Sequence, residues 1–131
     1  MCTLIVLHRC VAGRPLVVAA NRDEFLNRPA EDMAIRASRT GPILSPLDLE
    51  AGGTWVGLNQ RGVFAGLTNL RPTEERPTEQ GKRVAAVAQD NLKSRGDVVM
   101  AALESESAAD AVRTLSQLEE AAYNPFQLLV A

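Results

Sequence analysis

Two hydrophobic periodicities divide the chain, and the change falls near Gly81. Residues 3–9 (Thr-Leu-Ile-Val-Leu-His-Arg) are apolar and rich in β-branched side chains, which predicts a strand. Val11-Ala12-Gly13-Arg14 punctuates it, and Pro15 opens a second apolar run over residues 16–20. Two strands with a short glycine-containing link predict a β-hairpin. Residues 27–50 carry Pro29, Pro42, Pro46 and scattered charges, and read as irregular loop with one short strand near residues 33–35. A second hairpin is expected from residues 54–58 and 63–68 around Asn59-Gln60-Arg61-Gly62, with Gly62 supplying the positive φ of the turn.

Beyond a polar, proline- and glutamate-rich stretch at 71–80, read as an exposed loop, the spacing becomes helical. Val84, Val87, Ala88 and Leu92 predict one helix, with Ser94-Arg95-Gly96 as its end; Asp97 is the expected cap of a short second helix through Leu103. Ser107-Ala108-Ala109-Asp110 resembles a capping box opening a third, with Ala111, Leu115 and Leu118 as its apolar stripe. Residues 126–131 return to strand character. Strands, then helices, then a strand predict an α+β fold with a largely antiparallel sheet in one domain. Because the chain stops within an apolar strand, we expect an N-terminal portion of a longer protein whose uncovered sheet invites self-association.

Composition narrows the function classes. With 131 residues and a formal net charge of −2, the chain offers no electrostatic footprint for nucleic acid. Its longest apolar runs are too short to span a bilayer, so no stable membrane insertion is expected, and a cytoplasmic setting is the default. One histidine and two separated cysteines make no metal motif, and no cofactor is implied. Over an extended strand Cys2 and Cys10 stand about 26 Å apart, which rules against a disulfide.

The chemistry-bearing residues meet through the hairpin. With the turn centred between Ala12 and Gly13, cross-strand partners sum to about 25, which sets Cys2 opposite Asp23, with Arg22 and Glu24 one residue to either side. A thiol then faces Asn21-Arg22-Asp23-Glu24. Methionine before a small residue is normally excised, which would leave the Cys2 thiol and a free α-amine on one residue. That amine, with a reference pKa of about 7.7–8.0, can act as a base toward its own thiol.

These residues carry a resemblance. Met1-Cys2-Thr3, Asn21-Arg22-Asp23-Glu24 with Arg28-Pro29, Gly52-Gly53-Thr54-Trp55-Val56-Gly57, Asn69-Leu70-Arg71, Ser94-Arg95-Gly96 and Tyr123-Asn124-Pro125-Phe126 resemble the NRDE family, also called transport and Golgi organisation 2. The likeness covers essentially the whole chain, as a single NRDE domain over residues 1–131, and its members are typically about twice as long. That family in turn resembles N-terminal nucleophile (Ntn) hydrolases of the choloylglycine hydrolase and penicillin V acylase type. The resemblance implies the N-terminal half of an αββα sandwich, and a small-molecule ligand or substrate. Cys2 would be the nucleophile, Asp23 and Asn21 would position its amine, and the oxyanion residue would fall at Asn69 or Thr68. Arg22, Glu24, Arg28 and Thr68 are expected to bind substrate. An arginine that those enzymes carry just before their Asn-x-Asp is Ala20 here. Two activities remain open: an amidohydrolase using Cys2, or a non-enzymatic carrier of a hydrophobic ligand such as haem or a lipid.

Three further residues read as structural. Gly52-Gly53 is expected to form a tight turn, with close approach of a ligand or another backbone as the alternative. Trp55 is expected in the core. His8, roughly 20 Å along an extended strand from Cys2, is too far to serve as its base.

Overall fold

The computed structural model describes residues 2–70 and 92–131. Among them the chain forms strands β1 (Thr3–Val11), β2 (Arg14–Asn21), β3 (Ala30–Ser38), β4 (Gly41–Asp48), β5 (Val56–Asn59) and β6 (Phe64–Asn69). Helices α1 (Arg95–Leu103) and α2 (Ala108–Leu115), a 3-10 turn (Glu120–Ala122) and β7 (Phe126–Val130) follow. The polar stretch 71–80 and all of the expected helix at 84–92 except Leu92 lie outside the described residues. Strands β3-β4-β5-β6-β7 form one antiparallel sheet in that order, and β1 and β2 pair separately. The fold is α+β, as expected.

Three layers follow from strand alternation. Ala65 and Leu67 of β6 and Ile43 of β4 point to one face and pack with Val99, Ala102, Leu103 and Ala111 of the two helices. Gly57, paired with Ala65, shares that face: a methyl there would lie 2.6 Å from Leu103 Cδ1. Gly66 faces the other way, and a methyl there would lie 3.0 Å from Leu4 Cδ2 of β1. The β1–β2 hairpin therefore lies over the sheet face opposite the helices.

Residues 27–50 are not the irregular loop that their prolines suggest. They form the β3–β4 hairpin, joined at Arg39-Thr40, with Gly41 at φ +127° beyond the turn. The prolines are accommodated where no ladder hydrogen bond is needed. Pro42 pairs with Ala37 beside the turn. Pro46 stands alone between the pairs Glu31↔Leu47 and Ala34↔Ser45, opposite a bulge at Asp32-Met33.

The helix caps obey local chemistry. Ser94, rather than Asp97, caps α1 and accepts from the Gly96 N–H, so the helix starts three residues earlier than its sequence suggests. Ser107 caps α2 by accepting from Asp110 N–H, as the capping pattern predicts. Asn59 ties the β5–β6 turn to the end of α1. Its buried amide donates to Leu103 and Ser105 carbonyls at 2.9 and 2.8 Å and accepts from Arg61 and Val63 N–H groups at 2.9 Å.

Candidate functional site

The site begins with the register of the first hairpin. Val11 pairs with Arg14 around the expected turn, but from His8↔Leu16 outward the partners sum to 24. Arg9, at φ +56°, forms a bulge that adds one residue to β1 and slips the pairing by one. The slip sets Thr3 opposite Asn21, which places Cys2 level with Arg22. The thiol still reaches the neighbouring residue, with Sγ 3.9 Å from the Asp23 carbonyl oxygen. Cys2 is half-buried and Cys10, far along β1, is exposed.

Past Asn21 the chain leaves the sheet, and a tight turn at Phe25–Arg28, closed by the Arg28 N–H on the Phe25 carbonyl at 3.0 Å, folds Arg28 back beside Arg22. What holds both arginines is Asp48 at the end of β4. Its Oδ2 accepts from Arg22 Nη2 at 3.0 Å and Arg28 Nε at 2.9 Å, while Oδ1 accepts from the Glu50 and Ala51 N–H groups at 3.0 and 3.1 Å. Burial pushes the Asp48 pKa up, but the backbone donors and Arg28 outweigh it and hold the carboxyl below its ordinary value. Glu24 completes the cluster, 4.0 Å from Arg22 and 3.8 Å from Arg28.

Trp55 is not a core residue. It is half-buried with the Arg22 guanidinium 4.4 Å above its ring, so the indole serves as a platform for the arginine that Asp48 anchors. The two glycines before it divide the two roles weighed for them. Gly52, at φ +75°, makes the turn. Gly53 permits close approach of backbone to backbone, since a methyl on it would lie 3.0 Å from Gly96 Cα, and one on Gly96 would lie 3.1 Å from Gly53 Cα. This contact brings the start of α1, and with it Arg95, to the wall opposite the motif.

The result is a cleft of about 420 Å³ lined by Cys2, Arg22, Glu24, Arg28, Asp48, Trp55, Asn69 and Arg95, among others. Of the expected site residues, Cys2, Arg22, Glu24, Arg28 and Asn69 share it. Asn69 ends β6, paired with Phe126. Asp23 meets Cys2 through its carbonyl, and its side chain is exposed. Asn21 is exposed and lines a neighbouring recess with Val18 and Ala20. Thr68 lies on the other side of Cys2, in a shallow groove with Leu4 and Gly66, its hydroxyl 3.4 Å from Gln127 Oε1. Sequence reasoning missed Asp48 and Arg95. Asp48 sat in a stretch read as loop, and Arg95 in a tripeptide read as punctuation; a lone carboxylate ending an apolar run was the only signal for the first. Among the described residues no group of three His, Cys, Asp or Glu side chains is placed to hold a metal ion, and no helix is long and apolar enough to cross a membrane.

Comparison with known proteins gives one consistent answer. The family model described as Transport and Golgi organisation 2 matches residues 1–131. A cattle protein named Transport and Golgi organization protein 2 homolog is 36% identical over 120 residues, covering 88% of this chain and 38% of its own length. A mouse Transport and Golgi organization 2 homolog is 44% identical over 70 residues, 51% of this chain and 25% of the mouse protein. The human counterpart is 49% identical over 61 residues, 44% of this chain and 22% of its own. The chain thus spans well under half the length of these relatives.

Proposed function

Because the chain belongs to the Transport and Golgi organisation 2 family, we propose that its chemistry is amide hydrolysis of the N-terminal nucleophile kind, centred on Cys2. The observation that carries this reading is the meeting of the Cys2 thiol, the Asn69 amide and the Arg22–Glu24–Arg28–Asp48 cluster in one cleft. Once Met1 is removed, the α-amine of Cys2 takes the thiol proton and the sulfur attacks the amide carbonyl. The C–S bond forms, the C–N bond breaks, and the amine leaves with that proton. Water then hydrolyses the thioester, releasing the acid and restoring the thiol. In this reading Asp23 and Asn21 orient the amine, Asn69 donates to the developing oxyanion, and Arg22, Glu24, Arg28 and Thr68 contact substrate. The surrounding fold would be the αββα sandwich of such hydrolases, with the helix, sheet and hairpin layers as part of it.

A carrier of an apolar ligand is less well supported. The cleft lining is mostly polar and charged, and the lone His8 is exposed on β1, off the cleft, as a poor candidate for a haem ligand. Intact mass spectrometry of the full-length protein tests the hydrolase directly, with a mass lighter by one methionine residue expected. Acid-quenched reactions with a panel of N-acyl compounds should then yield an acyl adduct that maps to Cys2 and is missing in Cys2→Ala. Retention of Met1 sinks the proposal, since it blocks the base.

A further inference from the structure

Among the described residues, the cleft is lined by more cationic side chains than carboxylates. Arg22, Arg28, Lys93 and Arg95 line it against Glu24, Asp48 and Glu50. The two motif arginines are engaged, since both bond Asp48 Oδ2 and both stand within 4.0 Å of Glu24. Arg95 differs from them. Among the described residues its guanidinium closes no ion pair, and its one hydrogen bond there is a long one, from Nη1 to the Pro125 carbonyl at 3.3 Å.

Helix stability does not explain an arginine at this position. Arg95 is the first residue of α1, where the helix dipole and the free N–H groups disfavour a cation. Ser94 supplies the cap and Gly96 the close backbone contact, so neither task falls to Arg95. Partial burial strips water from the guanidinium and lowers its pKa. The Glu24 carboxylate opposes that fall, Arg28 adds to it, and Cys2 acts in the same sense as Glu24. A partly desolvated fork of five N–H donors therefore lines the cleft with most of its capacity unused by the described residues.

We propose that Arg95, supported by Lys93, forms an anion subsite beside the Cys2 thiol that holds a carboxylate of the ligand entering the cleft. A planar guanidinium matches a carboxylate in a bidentate fork, which is why this anion fits better than a spherical one. The inference deepens the reading above: it rests on the cleft being the functional site, and it does not require that an amide be cleaved there.

Iodoacetate and iodoacetamide alkylate a thiol by the same displacement, in which a sulfur–carbon bond forms and iodide leaves, and they differ in carrying a carboxylate or a neutral amide. Their rate ratio can be measured residue by residue on the full-length protein by peptide mapping, with exposed Cys10 as internal control. In Arg95→Gln the iodoacetate-to-iodoacetamide ratio at Cys2 should fall on the order of tenfold or more, the worth of one charge-assisted contact, while the Cys10 ratio stays constant. Arg95→Lys should keep part of the preference. On the wild-type protein, benzoate but not benzamide should slow iodoacetamide at Cys2, which tests for a carboxylate subsite beside the thiol even if Arg95→Gln fails to fold. A Cys2 ratio unchanged in Arg95→Gln, or equal protection by benzoate and benzamide, overturns the subsite. A retained Met1 or a missing acyl adduct counts against hydrolysis alone, so the two failures are distinguishable.

Discussion

The two faces of the five-stranded sheet are built on opposite physics. Toward the helices, Ala65, Val99, Ala102, Leu103 and Ala111 are completely withdrawn from water, and Gly57 leaves room for Leu103 where any larger residue would collide. Toward the hairpin, Leu4 and Val6 are only half-buried, Ile5 and Leu7 are exposed, and the end of that layer is a cluster of charges around Cys2. One face minimises water contact and tolerates little change. The other retains ionised groups in a partly wet cleft, where each is held by directed bonds rather than by close packing. What keeps the sheet together is thus separate from what lines the cleft.

The largest test of this division is Leu103→Ala. It opens a cavity in the helix-side core, and stability should fall by roughly 2–5 kcal/mol, read as a lower denaturant midpoint. Asn59→Ala comes next. It strands two carbonyls and two N–H groups at the end of α1, at a cost on the order of 2 kcal/mol or more by the same measurement, with the cleft residues untouched.

On the hairpin side the expected effects are smaller and depend on pH. Asp48→Asn removes the charge that Arg22 and Arg28 share, and should cost about 1–2 kcal/mol at neutral pH. Because the folded carboxyl has a lowered pKa, its stabilisation is fully present above the unfolded value of about 3.9 and is lost as pH falls through the folded one. Unfolding curves of wild type and variant should therefore converge at low pH and separate above about pH 4; a constant gap would contradict the assigned role. The same variant frees Arg22 from its place over Trp55, so a change in tryptophan fluorescence is expected. Smallest of all, Arg39→Ala removes a surface pair with Glu104 and should leave the midpoint unchanged within error.

Much of the fold was legible because local rules carried it. The first and second hairpins, the Ser107 cap and the last strand all follow from residues close together in sequence, and only the register of the first differs from what the sequence predicts. The β3–β4 hairpin was hidden because prolines count against a strand in sequence, while in three dimensions Pro46 sits opposite a bulge where its missing N–H does no harm. Trp55 was read into the core as a lone tryptophan at a strand start; its partner Arg22 lies just past β2, out of reach of any local pattern.

The site divides in the same way. Sequence alone brought Cys2 to the Asn21-Arg22-Asp23-Glu24 segment, because a hairpin with a short turn fixes which residues meet within one step of register. Only the tertiary structure decided that step, through the bulge at Arg9. It alone brought in Asp48 from the end of β4 and Arg95 from the start of α1. Those two residues reach the cleft through a carboxylate bridging separate segments and through two glycine backbones in contact, and such long-range meetings leave no periodicity in a sequence to be read.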